Sequence, residues 1–218
     1  MLKPATTWFS ERGWDVAPFQ RLAWESFLAG KDGLIHSPTG SGKTLAAIVG
    51  PLLERLAEAE PSEGADPIRV IWITPLRALA SDTAAALQEA VEGLGVPFSV
   101  ALRTGDTSAA EKTKQRKKLP SILITTPESL TLLLTHHEVL EQFKGLRAVV
   151  CDEWHELLGS KRGVQTDLAL SRLRKLAPKL RVWGVSATLG NVQEAAQALV
   201  GPDPVSYTHL TLPTKCSV

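Results

Sequence analysis

A chain of 218 residues is long enough to bury a substantial core, as one domain or two small ones. Hydrophobic residues make up 44% and charged residues 22%, the make-up of a globular protein in water. The net charge of +1 excludes a globally basic nucleic-acid binder, so any such surface has to be local, and no apolar run reaches the ~18 residues of a membrane helix.

In chain order, residues 1–30 read as an N-terminal helical segment and residues 31–204 as the main domain. Gly33–Ser37 is a short strand, and Lys43–Ala59 a helix with apolar Leu45, Ile48, Leu52, Leu53 and Leu56 and a Pro51 that is expected to kink it. Glu60–Pro67 is a polar, breaker-rich loop. Ile68–Thr74 is a buried strand, followed by a helix over Leu76–Val91. Strand Phe98–Leu102 leads to the charged helix Ser108–Lys118, and strand Ser121–Thr125 to a turn at Pro127 and an apolar helix through Leu134. Leu146–Cys151 is a continuously apolar strand, Val164–Leu176 a helix, Arg181–Val185 a strand and Asn191–Leu199 a helix capped by Asn191, with Glu194 three residues on. This alternation predicts an α/β fold, a parallel sheet with helices on both faces.

Two stretches carry chemistry. Ser37-Pro38-Thr39-Gly40-Ser41-Gly42-Lys43-Thr44 follows a strand and opens a helix, the context of a phosphate-binding P-loop. Gly40 and Gly42 let the backbone curl so that its amides face phosphate oxygens, and the helix N-terminus adds partial positive charge. Lys43 is expected to reach the β- and γ-phosphates of a nucleoside triphosphate, ATP if the resemblance below holds, and the Thr44 hydroxyl to ligate Mg2+. Ser37 stands where the strict motif has glycine; a small residue still fits there. Asp152 and Glu153 stand at the C-terminal end of a strand, where ligands of open α/β sheets collect. Asp152 is expected to hold Mg2+ and Glu153 to activate the attacking water.

With these two motifs, Ser186-Ala187-Thr188, Thr74-Pro75-Leu76-Arg77-Ala78-Leu79-Ala80 and Thr125-Thr126-Pro127-Glu128-Ser129-Leu130 resemble, in order and spacing, motifs I, Ia, Ib, II and III of superfamily 2 DEAD/DEAH-box helicases. The resemblance runs over about residues 8–200 and implies a RecA-like P-loop NTPase domain. Trp8-Phe9, Gly13-Trp14, Phe19-Gln20-Arg21, Trp24, Arg103-Thr104-Gly105-Asp106-Thr107 and the block from Asp152 to Gly163 are similar to bacterial ligase-associated DEXH-box helicases of the Lhr-like group. That group implies an ATP-dependent DNA helicase moving 3′ to 5′ in DNA repair, linked through gene neighbours to a DNA ligase and a metallophosphoesterase. It implies that Gln20 reads adenine, that His155 relays nucleotide state, and that Ser186, Ala187 and Thr188 couple hydrolysis to strand movement.

A motor that steps over any sequence grips the sugar-phosphate backbone. Pro75 and Arg77, then Arg103, Thr104 and Gly105, then Thr126, Pro127 and Glu128 are the candidate contacts to single-stranded DNA, with RNA as the alternative partner. The run Lys112, Lys114, Arg116, Lys117, Lys118 reads as a solvated helix face, Leu130–Leu134 as a buried one. Of the six tryptophans, Trp72 and Trp183 lie in strands and read as packing; Trp154 replaces the small residue usual in motif II, with no role legible from the sequence.

Cys151, in a strand, reads as a small core hydrophobe, and with Cys216 forms no disulfide or zinc pattern. With no signal-peptide pattern, the expected location is cytoplasmic, at the bacterial nucleoid if the resemblance holds. Residues 205–218 lack acidic residues and any clear period, and Val205–Thr214 resembles a translated sequencing adapter, so this tail is expected to be non-native. Nothing after Thr188 resembles the second RecA-like domain with its arginine finger, and loss of such a finger costs ~10³–10⁵ in rate in related phosphoryl transfer. Weak ATP binding and poor hydrolysis are therefore expected of this polypeptide alone. A nucleotide-dependent binding module without motor activity is the other reading, one that Glu153 argues against.

Overall fold

The computed structural model describes residues 1–58, 67–200 and 207–211. Two N-terminal helices, α1 (Lys3–Glu11) and α2 (Pro18–Leu28), precede β1 (Asp32–His36) and α3 (Lys43–Ala57). Then come β2 (Val70–Ile73), α4 (Arg77–Gly93), β3 (Val100–Arg103), α5 (Ala109–Lys117), β4 (Ile122–Thr125) and α6 (Pro127–Leu134). A short α7 (His137–Leu140) and a 3-10 turn (Glu141–Gly145) lead into β5 (Ala148–Cys151), α8 (Trp154–Leu157), α9 (Lys161–Leu176), β6 (Arg181–Ser186), α10 (Val192–Val200) and β7 (Tyr207–Thr211). Most of the expected loop at 60–67 lies outside the described residues, as does Ala59.

The strands form one sheet in the order β3-β4-β2-β5-β6-β1-β7, every pair parallel. β7, from the stretch expected to be non-native, runs beside β1 with Asp32 opposite Tyr207. Its neighbours 201–206 and 212–218 lie outside the described residues.

Alternation along each strand explains why both faces need cover. Val70, Trp72, Ile122, Ile124, Val150, Trp183 and Val185 join the core beneath α1 to α4, with Trp24, Phe27, Ile48 and Leu52. Ile71, Ile73, Leu123, Val149, Cys151 and Val182 face the other way, against Leu130, Leu133, Trp154, Leu173 and Leu199. Each such side chain, fully buried, contributes about 1.5–3 kcal/mol. Cys151 is thus the core residue expected.

Helix starts follow local chemistry. Ser108, Thr126 and Ser160 cap α5, α6 and α9 by accepting the amides of Glu111, Ser129 and Gly163, and Asn191 Oδ1 accepts the Glu194 amide at 3.2 Å, the cap expected for α10. Pro51 sits inside α3, which continues past it.

Candidate active site

Three neighbouring parallel strands, β5, β6 and β1, end at one rim, so the segments that follow them converge. His36 lies opposite Ser186, and Cys151 opposite Gly184. The Ser37 amide continues the ladder onto the Ser186 carbonyl at 3.2 Å, and the Asp152 amide onto the Ile73 carbonyl at 2.8 Å. Ser37, Asp152 and Ser186, up to 149 residues apart, begin their loops side by side.

In the phosphate loop Gly40 and Gly42 have φ of 79° and 87°, left-handed values that glycine adopts without strain. Ser37 Oγ donates to Ser41 Oγ at 2.7 Å, so the serine in place of glycine braces the loop. The Lys43 ammonium donates to the carbonyls of Ser37 (2.7 Å) and Pro38 (2.8 Å), folded over the cradle that its own helix opens. Burial pulls its pKa down, opposed by the charges of Glu153 and then Asp152, which places all three groups in one electrostatic neighbourhood.

Gln20 is buried on α2. Its Oε1 accepts the Ala17 amide at 3.0 Å and its Nε2 donates to the Gly42 carbonyl at 3.2 Å. The expected adenine reader is therefore also the brace between α2 and the phosphate loop. A Cβ at Gly42 would stand 2.5 Å from Gln20 Nε2, a second reason for glycine there.

Glu153 is the one non-glycine residue with positive φ (44°) among the described residues. That turn carries the chain from β5 into α8. Glu153 Oε2 is buried without a hydrogen-bond partner. A carboxylate oxygen in that condition suits a base that takes a proton from a bound water. His155 Nδ1 stands 3.4 Å from Glu153 Oε2 and makes its closer contact, 2.9 Å, with Ser186 Oγ. Ser186 Oγ also lies 3.0 Å from the Thr188 carbonyl, so one hydroxyl links His155 to the segment that Ser186 begins. The histidine and the Ser-Ala-Thr segment, joined by the resemblance as relay and coupling residues, are thus in direct contact.

Asp152 is held twice: Oδ1 accepts the Glu153 amide at 3.0 Å, and Oδ2 the indole N–H of Trp72 at 3.1 Å. Burial raises its pKa, the Trp72 bond lowers it, and the Glu153 charge raises it; the balance is upward. No cluster of three or more His, Cys, Asp or Glu that would cage a metal exists among the described residues. The available donors are hard oxygens, the Asp152 carboxylate and the half-buried Thr44 hydroxyl. That set fits Mg2+, which takes one or two protein oxygens and completes its shell with phosphates and water.

The expected nucleic-acid contacts lie along the same rim, beyond β2, β4 and β3. Arg77 is exposed at the start of α4 and pairs with Asp106 at 3.5 Å, and its guanidinium lies close over Gly105. Thr126 and Pro127 are buried at the start of α6, and Glu128 pairs with Arg162 at 2.6 Å. Arg162 also donates to the Pro75 carbonyl at 3.2 Å, joining the segments expected as motifs Ia and Ib. Arg103 is placed differently from its expected phosphate contact. It is buried, its guanidinium bonded to the Lys112 carbonyl (3.1 Å) and Gln115 Oε1 (3.3 Å), because its position on β3 turns it under α5. Thr104 is buried too, and its hydroxyl accepts the Asp106 amide at 3.3 Å. Lys112, expected among solvated charges, donates to the Gly105 carbonyl at 2.9 Å.

Three residues gain roles that the sequence did not disclose. Trp72 touches Asp152 from a strand 80 positions away. Trp154 is buried and its Nε1 donates to the Ala195 carbonyl at 2.8 Å, tying α8 to α10. Arg162 bridges α6 and the segment after β2. Only the unusual tryptophan inside the Asp-Glu-Trp-His block hinted at any of this.

A model of the DEAD/DEAH box helicase family matches residues 17–195. The ATP-dependent helicase Lhr-Core of Methanocaldococcus jannaschii is 38% identical over 209 residues, which cover 91% of this chain and 25% of that protein. The Lhr helicase/uracil glycosylase of Escherichia coli is 35% identical, over 96% of this chain and 15% of its own length. The structure of the Mycobacterium smegmatis helicase Lhr bound to ssDNA and AMP-PNP superposes with a TM-score of 0.84 at 32% identity, covering 96% of this chain and 27% of that one. The chain therefore spans about a quarter or less of the length of these relatives. The parallel sheet with helices on both faces is the RecA-like helicase fold that the motifs implied.

Proposed function

The chain belongs to the DEAD/DEAH box helicase family, and from that premise we propose that it is the first of two RecA-like motor domains of an ATP-dependent DNA helicase of the Lhr type. In this reading ATP and Mg2+ lie across Lys43, Thr44, Asp152 and Glu153, with the base read by Gln20. Lys43 neutralises the β- and γ-phosphates, Asp152 and Thr44 hold the ion, and Glu153 takes the proton of the attacking water. The ion supplies charge neutralisation of the phosphates when bound. His155, Ser186, Ala187 and Thr188 transmit the state of the γ-phosphate toward the strand.

Single-stranded DNA runs past the exposed Arg77, with Gly105 beside it, and past Glu128 on the first turn of α6, which the buried Thr126 and Pro127 shape as the buried Pro75 shapes the turn before α4, with movement 3′ to 5′. Residues 1–30 form the adenine-reading segment, 31–204 the motor domain and 205–218 a non-native tail. The parent acts at the nucleoid in DNA repair, beside a DNA ligase and a metallophosphoesterase. Efficient hydrolysis requires a second domain that donates an arginine to the γ-phosphate.

One observation supports the nucleotide reading: the Ser37 amide ends on the Ser186 carbonyl at 3.2 Å and the Asp152 amide on the Ile73 carbonyl at 2.8 Å, so the loop that leads to Lys43 and the acidic pair leave one rim of the sheet. The test is binding of a fluorescent ATP analogue with Mg2+, followed by filter binding to DNA and RNA strands of one sequence. Mg2+-dependent analogue binding abolished by Lys43→Ala, with tighter retention of DNA, is expected. Analogue binding indifferent to Lys43 would overturn the nucleotide site, and tighter retention of RNA would move the substrate to the ribose polymer.

A further inference from the structure

Trp72 is fully buried on β2, paired with Val150 of β5, and its ring belongs to the core under α1 to α4. Packing alone asks only for an apolar body of that size. The indole adds a donor at its tip. That donor ends on Asp152 Oδ2 at 3.1 Å. The other buried tryptophans with bonded N–H groups end on backbone carbonyls: Trp24 on Leu45, Trp154 on Ala195 and Trp183 on Lys31. Among the described residues, Trp72 is the tryptophan whose N–H meets a carboxylate, and that carboxylate is the one at the phosphate rim.

The geometry of Asp152 gives this contact its weight. Oδ1 is turned onto the Glu153 amide of its own chain segment, a local bond that moves with the backbone. The indole bond comes from a different strand and is anchored in the core, so it fixes the carboxylate against the sheet itself. We propose that Trp72 is a positioning residue for the divalent cation, its indole N–H holding Asp152 in the rotamer that meets a magnesium–nucleotide complex. The inference rests on the nucleotide-site reading above. Partners behind a metal ligand orient it, and their removal commonly weakens metal binding 10- to 100-fold.

The experiment compares Trp72→Phe with Trp183→Phe in the chain itself. Trp183 is equally buried, in the same core and two strands away, but its N–H goes to Lys31. Binding of a fluorescent ATP analogue is titrated with Mg2+ and repeated in EDTA. Trp72→Phe is expected to raise the Mg2+ concentration for half-maximal tightening about tenfold or more, with unchanged affinity in EDTA; Trp183→Phe changes neither. An unshifted Mg2+ midpoint in Trp72→Phe, or an equal loss with and without Mg2+, reduces Trp72 to packing and overturns the proposal. A wild-type chain whose analogue binding ignores Mg2+ removes the nucleotide-site reading, and the Trp72 role falls with it. Should Trp72→Phe fail to fold, indole 15N spectra decide. Asp152→Ala is expected to move the Trp72 N–H resonance and leave that of Trp183 in place; an unmoved Trp72 resonance refutes the contact.

Discussion

At the phosphate rim, Lys43, Asp152 and Gln20 are held by main-chain atoms and a buried indole; along the outer rim, Arg77, Asp106, Glu128 and Arg162 hold one another in the open. The first set is fixed before any ligand arrives, and its burial strengthens every charge interaction there. The second set consists of exposed pairs worth about 0–1 kcal/mol each, which incoming phosphates displace at little cost. One rim is built for geometry, the other for exchange. In the proposed motor reading, clasping one nucleotide and releasing a strand at every step would need that asymmetry.

The sharpest way to break this contrast is at Glu153. Glu153→Gln should leave nucleotide affinity within about threefold while hydrolysis by the proposed two-domain parent falls ~10²–10⁴-fold, the usual worth of a general base; single-turnover hydrolysis reads it. Lys43→Ala removes a desolvated charge and its bonds to phosphate, about 3 kcal/mol, so affinity for a nucleotide analogue should fall on the order of a hundredfold by fluorescence titration.

A pH series sharpens the contrast further. Burial raises the folded-state pKa of Asp152. Its contribution to ligand-free stability is therefore fully present below its unfolded pKa and is lost as pH rises through the folded one. Asp167, raised by burial as well, adds to that slope. The magnesium complex needs the deprotonated carboxylate, so stabilisation by added Mg2+ and analogue should grow over the same rise. Thermal denaturation from about pH 4 to 7 should show the two slopes with opposite sign. A parallel course in Asp152→Ala would remove Asp152 as the cause.

The smallest effects belong to the outer rim. Arg77→Ala should weaken single-strand binding less than about tenfold, evenly across sequences, and lower the salt slope by about one. Asp106→Ala, which frees Arg77, should tighten binding by a factor of about two or three, the size of an exposed pair. A hundredfold effect at either position would place the outer rim in the same class as the inner one.

Much of this was legible in the residues. Strand and helix ends fell within a few positions of the observed ones, because β-branched runs and polar breakers alternate cleanly from Gly33 to Leu199. The segments Ser37–Thr44 and Asp152-Glu153 stood out because each has a fixed short spacing, and the strands before them end at one rim. Other features were not. Short α7 and α8 are single turns stabilised by what they pack on, with no period of their own. The strand expected over Phe98–Leu102 left Arg103 outside it as a candidate phosphate contact; β3 runs on to Arg103 and turns it in, under Gln115. Trp72 was read as packing, which it also does, since a hydrogen bond between strands 80 residues apart leaves no mark on local sequence. Trp154 acquired a role only when α10 closed over it.

The left-handed turn at Glu153 has a consequence for any attempt to harden this protein. A side chain there holds a backbone shape that costs on the order of 1–2 kcal/mol and that glycine or asparagine would adopt more easily. Selection for heat survival alone, blind to turnover, should therefore drift toward Glu153→Gly or Glu153→Asn. If Glu153 is the proposed base, the most thermally rugged descendants would then be idle ones, and the glutamate would persist only where work is demanded of it.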